Sequence, residues 1–135
     1  MATGGTTYAT ALASAAARAA LEQILTPAAY DRVRKLGMRL ADGLEAAFER
    51  RRLPWRAFRC GPRSGYCLAP ELPIDGGAAV CSLDYELIEA RRVYMANRGV
   101  WDAVSSAGPQ SSFAHDAADI DRYVALAESF LDEVH

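Results

Sequence analysis

Few side chains in this 135-residue chain are of the types that do chemistry, and most of them stand apart in sequence. The first candidate is Thr3-Gly4-Gly5-Thr6-Thr7, which runs just ahead of an apolar helical pattern. Close backbone approach at glycine, threonine hydroxyls and the positive end of a helix together suit a phosphate. The same residues also read as a flexible tail whose threonines cap the helix. The second candidate is Arg63 in Gly61-Pro62-Arg63-Ser64-Gly65. A guanidinium at a turn can grip a carboxylate through two parallel hydrogen bonds, although a solvated turn arginine is the plainer reading. Lys35, the only lysine, falls on the polar side of a helical pattern beside Arg34 and Arg39. A Schiff-base lysine must be desolvated to become a free amine near neutral pH, so Lys35 is not expected to do that chemistry unaided. His115 lies between an extended segment and a helix cap and reads as a structural histidine.

No complete catalytic set emerges. The chain lacks G-x-S-x-G, a P-loop and a G-x-G-x-x-G fingerprint. Cys60, Cys67 and Cys81 have no C-x-x-C spacing, and His115 and His135 are too scattered to complete a zinc site with them. Buried or half-buried free thiols in a reducing cytoplasm are the expectation, with no metal. Fifteen basic residues face 17 acidic ones, so no overall basic footprint points to nucleic acid. The run Arg50-Arg51-Arg52 reads as a solvated helix end. No stretch of 18 apolar residues is present, so no membrane span is expected, and no signal peptide is visible at the Gly/Thr-rich start.

The elements that must hold these residues can be read from periodicity. A length of 135 residues favours one domain, and 27 alanines favour closely packed helices. Met1 to Ala11 reads as a loop and Leu12 to Leu25 as a helix. Thr26 and Pro27 then suit the N-cap and first position of a second helix. That helix runs to about Arg51 on the stripe Tyr30, Val33, Leu36/Gly37, Leu40, Leu44, Ala47/Phe48, and Pro54 ends it. Trp55–Cys60 and Gly65–Ala69 form a hairpin pattern around a four-residue turn. In Pro70 to Ala79, two prolines and two glycines argue against regular structure. A helix follows from Leu83 to Arg98, with Ser82 as N-cap and Gly99 at the position favouring positive φ. Val100–Val104 and Gln110–Ala114 read as further extended pieces. Asp116 caps the last helix, whose stripe is Ile120, Tyr123/Val124, Ala127, Phe130/Leu131, Val134. The expected class is α+β, a small, mostly antiparallel sheet with helices packed on one face.

Four segments carry a resemblance to a known family. Gly5-Thr6-Thr7-Tyr8-Ala9-Thr10-Ala11-Leu12-Ala13-Ser14-Ala15-Ala16 resembles the GT-x-x-x-N-P-L-x-x-A-A segment of class III, pyridoxal-phosphate-dependent aminotransferases, where it enters their small C-terminal domain. Leu36-Gly37, Arg39-Leu40 and Gly43-Leu44 resemble that family's L-G-x-R-L-x-x-G-L helix, and Gly99-Val100-Trp101 its G-V-Y/W segment. Ser112-Phe113-Ala114-His115-Asp116 through Asp121 is similar to its S-x-x-H-T-x-x-D-I-D junction. The order and spacing hold over nearly the whole chain, and the aminomutase and β-amino-acid aminotransferase branch is the most similar.

The resemblance implies a domain of 12–135 preceded by a loop of 1–11 that carries the Gly-Thr pair. It implies a homodimer with pyridoxal 5'-phosphate at the subunit interface, where Thr6 donates to the phosphate held by the neighbouring subunit and Gly5 allows close approach. The parent reaction would move an amino group from an amino donor to a keto or aldehyde acceptor. The Schiff-base lysine and the cofactor-binding large domain are expected upstream of Gly5, so the chain reads as a C-terminal part that is inactive alone, without catalytic residues of its own. A non-catalytic assembly module derived from such an enzyme is the alternative. Thr10-Ala11 stand where the family has Asn-Pro, and Trp101-Asp102-Ala103-Val104 lack the substrate-carboxylate arginine that some members carry there.

Overall fold

A computed structural model of the chain describes Gly5 and residues 10–102 and 108–134. Two compact units divide it, Met1–Arg32 and Val33–His135. In the first unit, helix α1 (Ala11–Ala19) begins at Thr10, whose Oγ1 accepts a hydrogen bond from the Ala13 N–H at 3.2 Å. The expected helix is present, but its last part widens into a π-helical turn, Ala20–Ile24, closed by the Leu25 N–H donating to the Ala20 carbonyl. Neither segment contains a buried residue, and Leu12 is 81% exposed. Alanine supplies intrinsic helix propensity here rather than a packed face.

Helix α2 (Pro27–Arg50) starts as the sequence predicts, with Thr26 Oγ1 accepting from the Ala29 N–H at 3.2 Å and proline in the first position. Its stripe from Val33 to Phe48 is buried, whereas Tyr30 at the head of the predicted stripe is half exposed. The helix stops before Pro54 for a reason intrinsic to the backbone. Arg52 takes a positive φ of 55°, its N–H donates to the Glu49 carbonyl, and the Leu53 N–H donates to the Phe48 carbonyl. This paired arrangement satisfies the last carbonyls of the helix and turns Leu53 onto the core.

The sheet consists of β1 (Arg56–Phe58) and β2 (Gly65–Cys67), antiparallel, with Arg56 opposite Cys67 and Phe58 opposite Gly65. Both strands are shorter than expected, and a 3-10 turn, Gly61–Arg63, joins them. The sheet ends there. Residues 100–102 and 110–114 are not strands, contrary to the expectation for Val100–Val104 and Gln110–Ala114; positions 103 to 107 lie outside the described residues. The physical reason is visible at Ser111, which gives its N–H to the Pro62 carbonyl at 3.0 Å, and at Ser112, whose N–H goes to His115 Nδ1 at 3.1 Å. These donors serve a tether and a turn, not a ladder.

The segment 70–79 also departs from expectation. Gly76–Cys81 forms a short helix, α3, because Asp75 Oδ1 accepts from the Ala78 N–H at 2.8 Å. A side-chain cap of this kind offsets part of the cost of two leading glycines. Asp84, not Ser82, then caps α4 (Tyr85–Ala96) by accepting from the Leu87 N–H at 3.0 Å. Gly99 has φ 81° and the Val100 N–H donates to the Met95 carbonyl, as its position predicts. Helix α5 (Ala117–Val134) opens on a reciprocal cap: Asp116 Oδ1 accepts from the Ala118 and Asp119 N–H groups, and Asp119 Oδ2 accepts from the Asp116 N–H.

The core of this unit joins Leu40, Leu44 and Phe48 of α2 to Ala57 of β1, Met95 of α4, and Ile120, Ala127 and Phe130 of α5. Phe48 meets Trp55 and Tyr66 edge-on, with ring centroids 5.5 and 5.6 Å apart, a favourable quadrupole arrangement. Helices against one small antiparallel sheet make the unit α+β, as the sequence indicates.

Candidate functional site

Gly5 is exposed and belongs to no helix or strand. Thr6, its partner in the predicted phosphate contact, lies outside the described residues, as do Thr3, Gly4 and Thr7. Thr10 occupies the N-cap of α1, where the resembled family carries asparagine. Both residue types cap well, so the exchange preserves the start of the helix.

The hairpin tip is held from several sides. Gly37 of α2 approaches the turn so closely that a Cβ there would stand 1.8 Å from the Gly61 carbonyl oxygen. Gly61 itself has φ 56°. Ser64, fully buried, accepts from the Cys60 N–H at 3.2 Å and donates to the Gly61 carbonyl at 2.8 Å. Ser111 Oγ lies 3.1 Å from the Pro62 carbonyl and 3.3 Å from that of Val33. The turn that carries Arg63 is therefore pinned to α2 and to the segment before α5. Beside it opens a cleft of about 690 Å³, lined by Arg63, Phe58, Leu72, Asp75 and Ile88 among others.

A buried polar cluster lies in the same unit, and sequence reasoning missed it. Arg91 Nη1 is 2.8 Å from Asp102 Oδ2, with both side chains 5% exposed. The same nitrogen donates to the Tyr123 hydroxyl, which lies 3.5 Å from Asp102, and the guanidinium sits 5.5 Å from the Tyr66 ring centroid. Burial pushes the Tyr123 hydroxyl well above the ordinary tyrosine pKa, with Arg91 pulling it down and Asp102 raising it. Burial acts against the Arg91 charge, yet its surroundings leave its pKa raised. A signal was present: Ile88, Arg91 and Met95 share one face of α4, so Arg91 stands on an apolar stripe.

Lys35 is exposed on α2, and nothing in its position desolvates its amine. His115 accepts at Nδ1 from the Ser112 N–H, a local structural bond. All three cysteines are free and Cys67 is buried, as expected, whereas Cys60 and Cys81 are exposed, contrary to expectation. Arg50 and Arg51 are not merely solvated: they pair with Glu128 and Asp132 of α5, and Arg51 is largely covered. Among the described residues no helix is long and apolar enough to cross a membrane.

No family model matches the chain. Glutamate-1-semialdehyde 2,1-aminomutase 2 of Geobacillus kaustophilus (strain HTA426) is 35% identical over 125 residues, covering 92% of this chain and 29% of that protein. The protein of the same name in Geobacillus thermodenitrificans (strain NG80-2) is similar to the same degree. Among solved structures, a glutamate-1-semialdehyde aminomutase of Pseudomonas aeruginosa PAO1, in complex with PMP, superposes with a TM-score of 0.89 at 30% identity. It covers 98% of this chain and 29% of that one. An omega-transaminase of Sphaerobacter thermophilus has a TM-score of 0.80 at 20% identity, a likeness of fold alone. The chain spans about 29% of the length of the curated relatives it matches. It is similar in sequence and fold to one segment of such enzymes, in agreement with the motif resemblance to the C-terminal domain of class III aminotransferases.

Proposed function

We propose that the chain works as the small C-terminal domain, residues 12–135 with the leading loop 1–11, of a cytoplasmic pyridoxal-phosphate-dependent aminotransferase or aminomutase. The supporting observation is the agreement of sequence and fold with aminomutases over more than nine-tenths of the chain. In the whole enzyme the cofactor supplies the electron-sink chemistry that moves an amino group from an amino donor to a keto or aldehyde acceptor. Among the described residues there is no buried lysine to hold that cofactor. The only lysine, Lys35, is exposed on α2, whereas a Schiff-base lysine needs a desolvated pocket. No reaction step is therefore assigned to this chain. Its roles are to complete a homodimer with an upstream large domain and to lend Gly5 and Thr6 to the cofactor phosphate of the neighbouring subunit.

The test of that contact uses this chain combined with a separately made large domain of an aminomutase. Replacing Thr6→Val removes one hydrogen bond to a charged group, worth roughly 1.5–3 kcal/mol. Pyridoxal-phosphate affinity should fall by about tenfold or more, measured by fluorescence titration. Unchanged affinity would remove Thr6 from the site.

A second reading, a non-catalytic module that associates with a further copy, is favoured by exposed apolar side chains in one stretch. Ile74 is 94% exposed, and Leu72, Val80 and Tyr85 are exposed nearby in sequence. Light scattering of the chain alone separates the two readings: a concentration-dependent dimer supports the module, and a monomer removes it.

A further inference from the structure

We propose that the cleft beside the hairpin is a binding site for a small monocarboxylate with an apolar body, whose carboxylate is gripped by Arg63. The site is built from this chain's second unit alone and does not depend on the aminotransferase reading. Three arginines project from the hairpin, and two of them have carboxylate partners: Arg56 pairs with Glu45 at 3.2 Å and Arg59 with Asp42 at 2.7 Å. Arg63 has no ion pair among the described residues, yet it belongs to the most firmly held part of the hairpin. Its own N–H donates to the Cys60 carbonyl at 3.1 Å, Pro62 before it is tethered by Ser111, and Ser64 after it is buried. An unpaired guanidinium on a pinned backbone is preorganised to receive two parallel bonds from a carboxylate.

The cleft that Arg63 lines supplies the remainder of the recognition. Its volume of about 690 Å³ lies within the range typical of small-molecule sites. Phe58, Leu72 and Ile88 give it apolar walls, which suit an alkyl or aryl body and reward its removal from water. Asp75 is the one acidic side chain in the lining, and its Oδ1 is engaged by the Ala78 N–H. Its negative charge remains in the cleft and disfavours a second anionic group on the ligand. The resulting specificity is for monoanions over dianions, with an apolar tail in preference to a polar one.

Isothermal titration of the full chain with 4-phenylbutyrate tests this site, with 4-phenylbutanamide and glutarate as comparison probes. The expected result is saturable binding of 4-phenylbutyrate, weaker binding of the amide and weakest binding of glutarate. Arg63→Gln should weaken 4-phenylbutyrate by about tenfold or more while leaving amide binding and the melting temperature unchanged. Leu72→Glu, at an exposed position on the wall, should weaken both the acid and the amide. Equal affinity of wild type and Arg63→Gln for 4-phenylbutyrate overturns the proposal, as does tighter binding of glutarate or the lack of saturation up to the solubility limit.

Discussion

Two arginine–aspartate pairs in this molecule have similar charge separations and opposite surroundings. Arg39 of α2 meets Asp121 of α5 through two bonds of 2.6 and 2.7 Å, and both side chains are more than half exposed. Arg91 of α4 meets Asp102 at 2.8 Å, and both are sealed from water. Solvent screens the first pair, so its formation and its loss nearly balance. The second pair sits where the attraction is strong but the cost of stripping water from both charges is also large. What separates the two pairs is the cost of removing one partner.

The largest expected effect comes from breaking the buried pair on one side. Asp102→Ala leaves a guanidinium in the core without its counter-charge and should cost about 3–5 kcal/mol in urea unfolding. Replacing both partners, Arg91→Met with Asp102→Leu, should recover most of that loss, because an apolar pair of similar volume needs no desolvation. If the double variant is as unstable as the single one, the cluster does more than pair charges.

An intermediate effect is expected at high pH. The folded state holds Tyr123 and Tyr66 above their ordinary pKa, through burial first. Their neutral forms are favoured in the fold, so this contribution is complete below the unfolded tyrosine pKa of about 10. It is lost as pH rises from there through the folded values. Denaturant midpoints followed upward through that point should fall, and Tyr123→Phe should flatten the decline. A midpoint independent of pH in this range would contradict the burial of both hydroxyls.

The smallest effect is expected at the surface pair. The hydrogen bond and charge of Arg39 hold the Asp121 carboxyl below its usual range. Its contribution is present above the ordinary carboxylate pKa and lost as pH falls through the lower folded value. Asp121→Asn should therefore change the melting temperature little at neutral pH, and added salt should erase the difference. A large, salt-resistant loss would show that this pair is shielded from solvent after all.

The same contrast explains what could be read from the sequence. Features set by local spacing were legible: the Thr26-Pro27 start of α2, the Asp116 cap of α5, Gly99 after α4, and the apolar stripes of both long helices apart from their exposed ends at Tyr30 and Val134. The Gly61–Ser64 turn was legible for the same reason. Features that require distant segments to meet were not. Asp102 becomes a partner of Arg91 only once the chain turns at Gly99 after α4, and Ser111 reaches Pro62 across 49 positions of chain. That tether took the Ser111 N–H from the extended piece expected at 110–114, and the sheet has two strands among the described residues. The Asp75 cap likewise outweighed the two glycines that argued against α3. Of the candidate site, the Gly5-Thr6 reading came from motif resemblance, and Arg63 from its place in a turn. The cleft beside Arg63 emerged only from the packing of the hairpin with residues 68–88.

The proposed function has this chain completing an aminotransferase without supplying its reacting amine. Transamination assayed for the chain alone, for a separately made large domain and for their mixture, all with pyridoxal phosphate present, tests it most directly. Activity is expected in the mixture and none from this chain by itself. Turnover by the isolated chain, lost on Lys35→Arg, would contradict it.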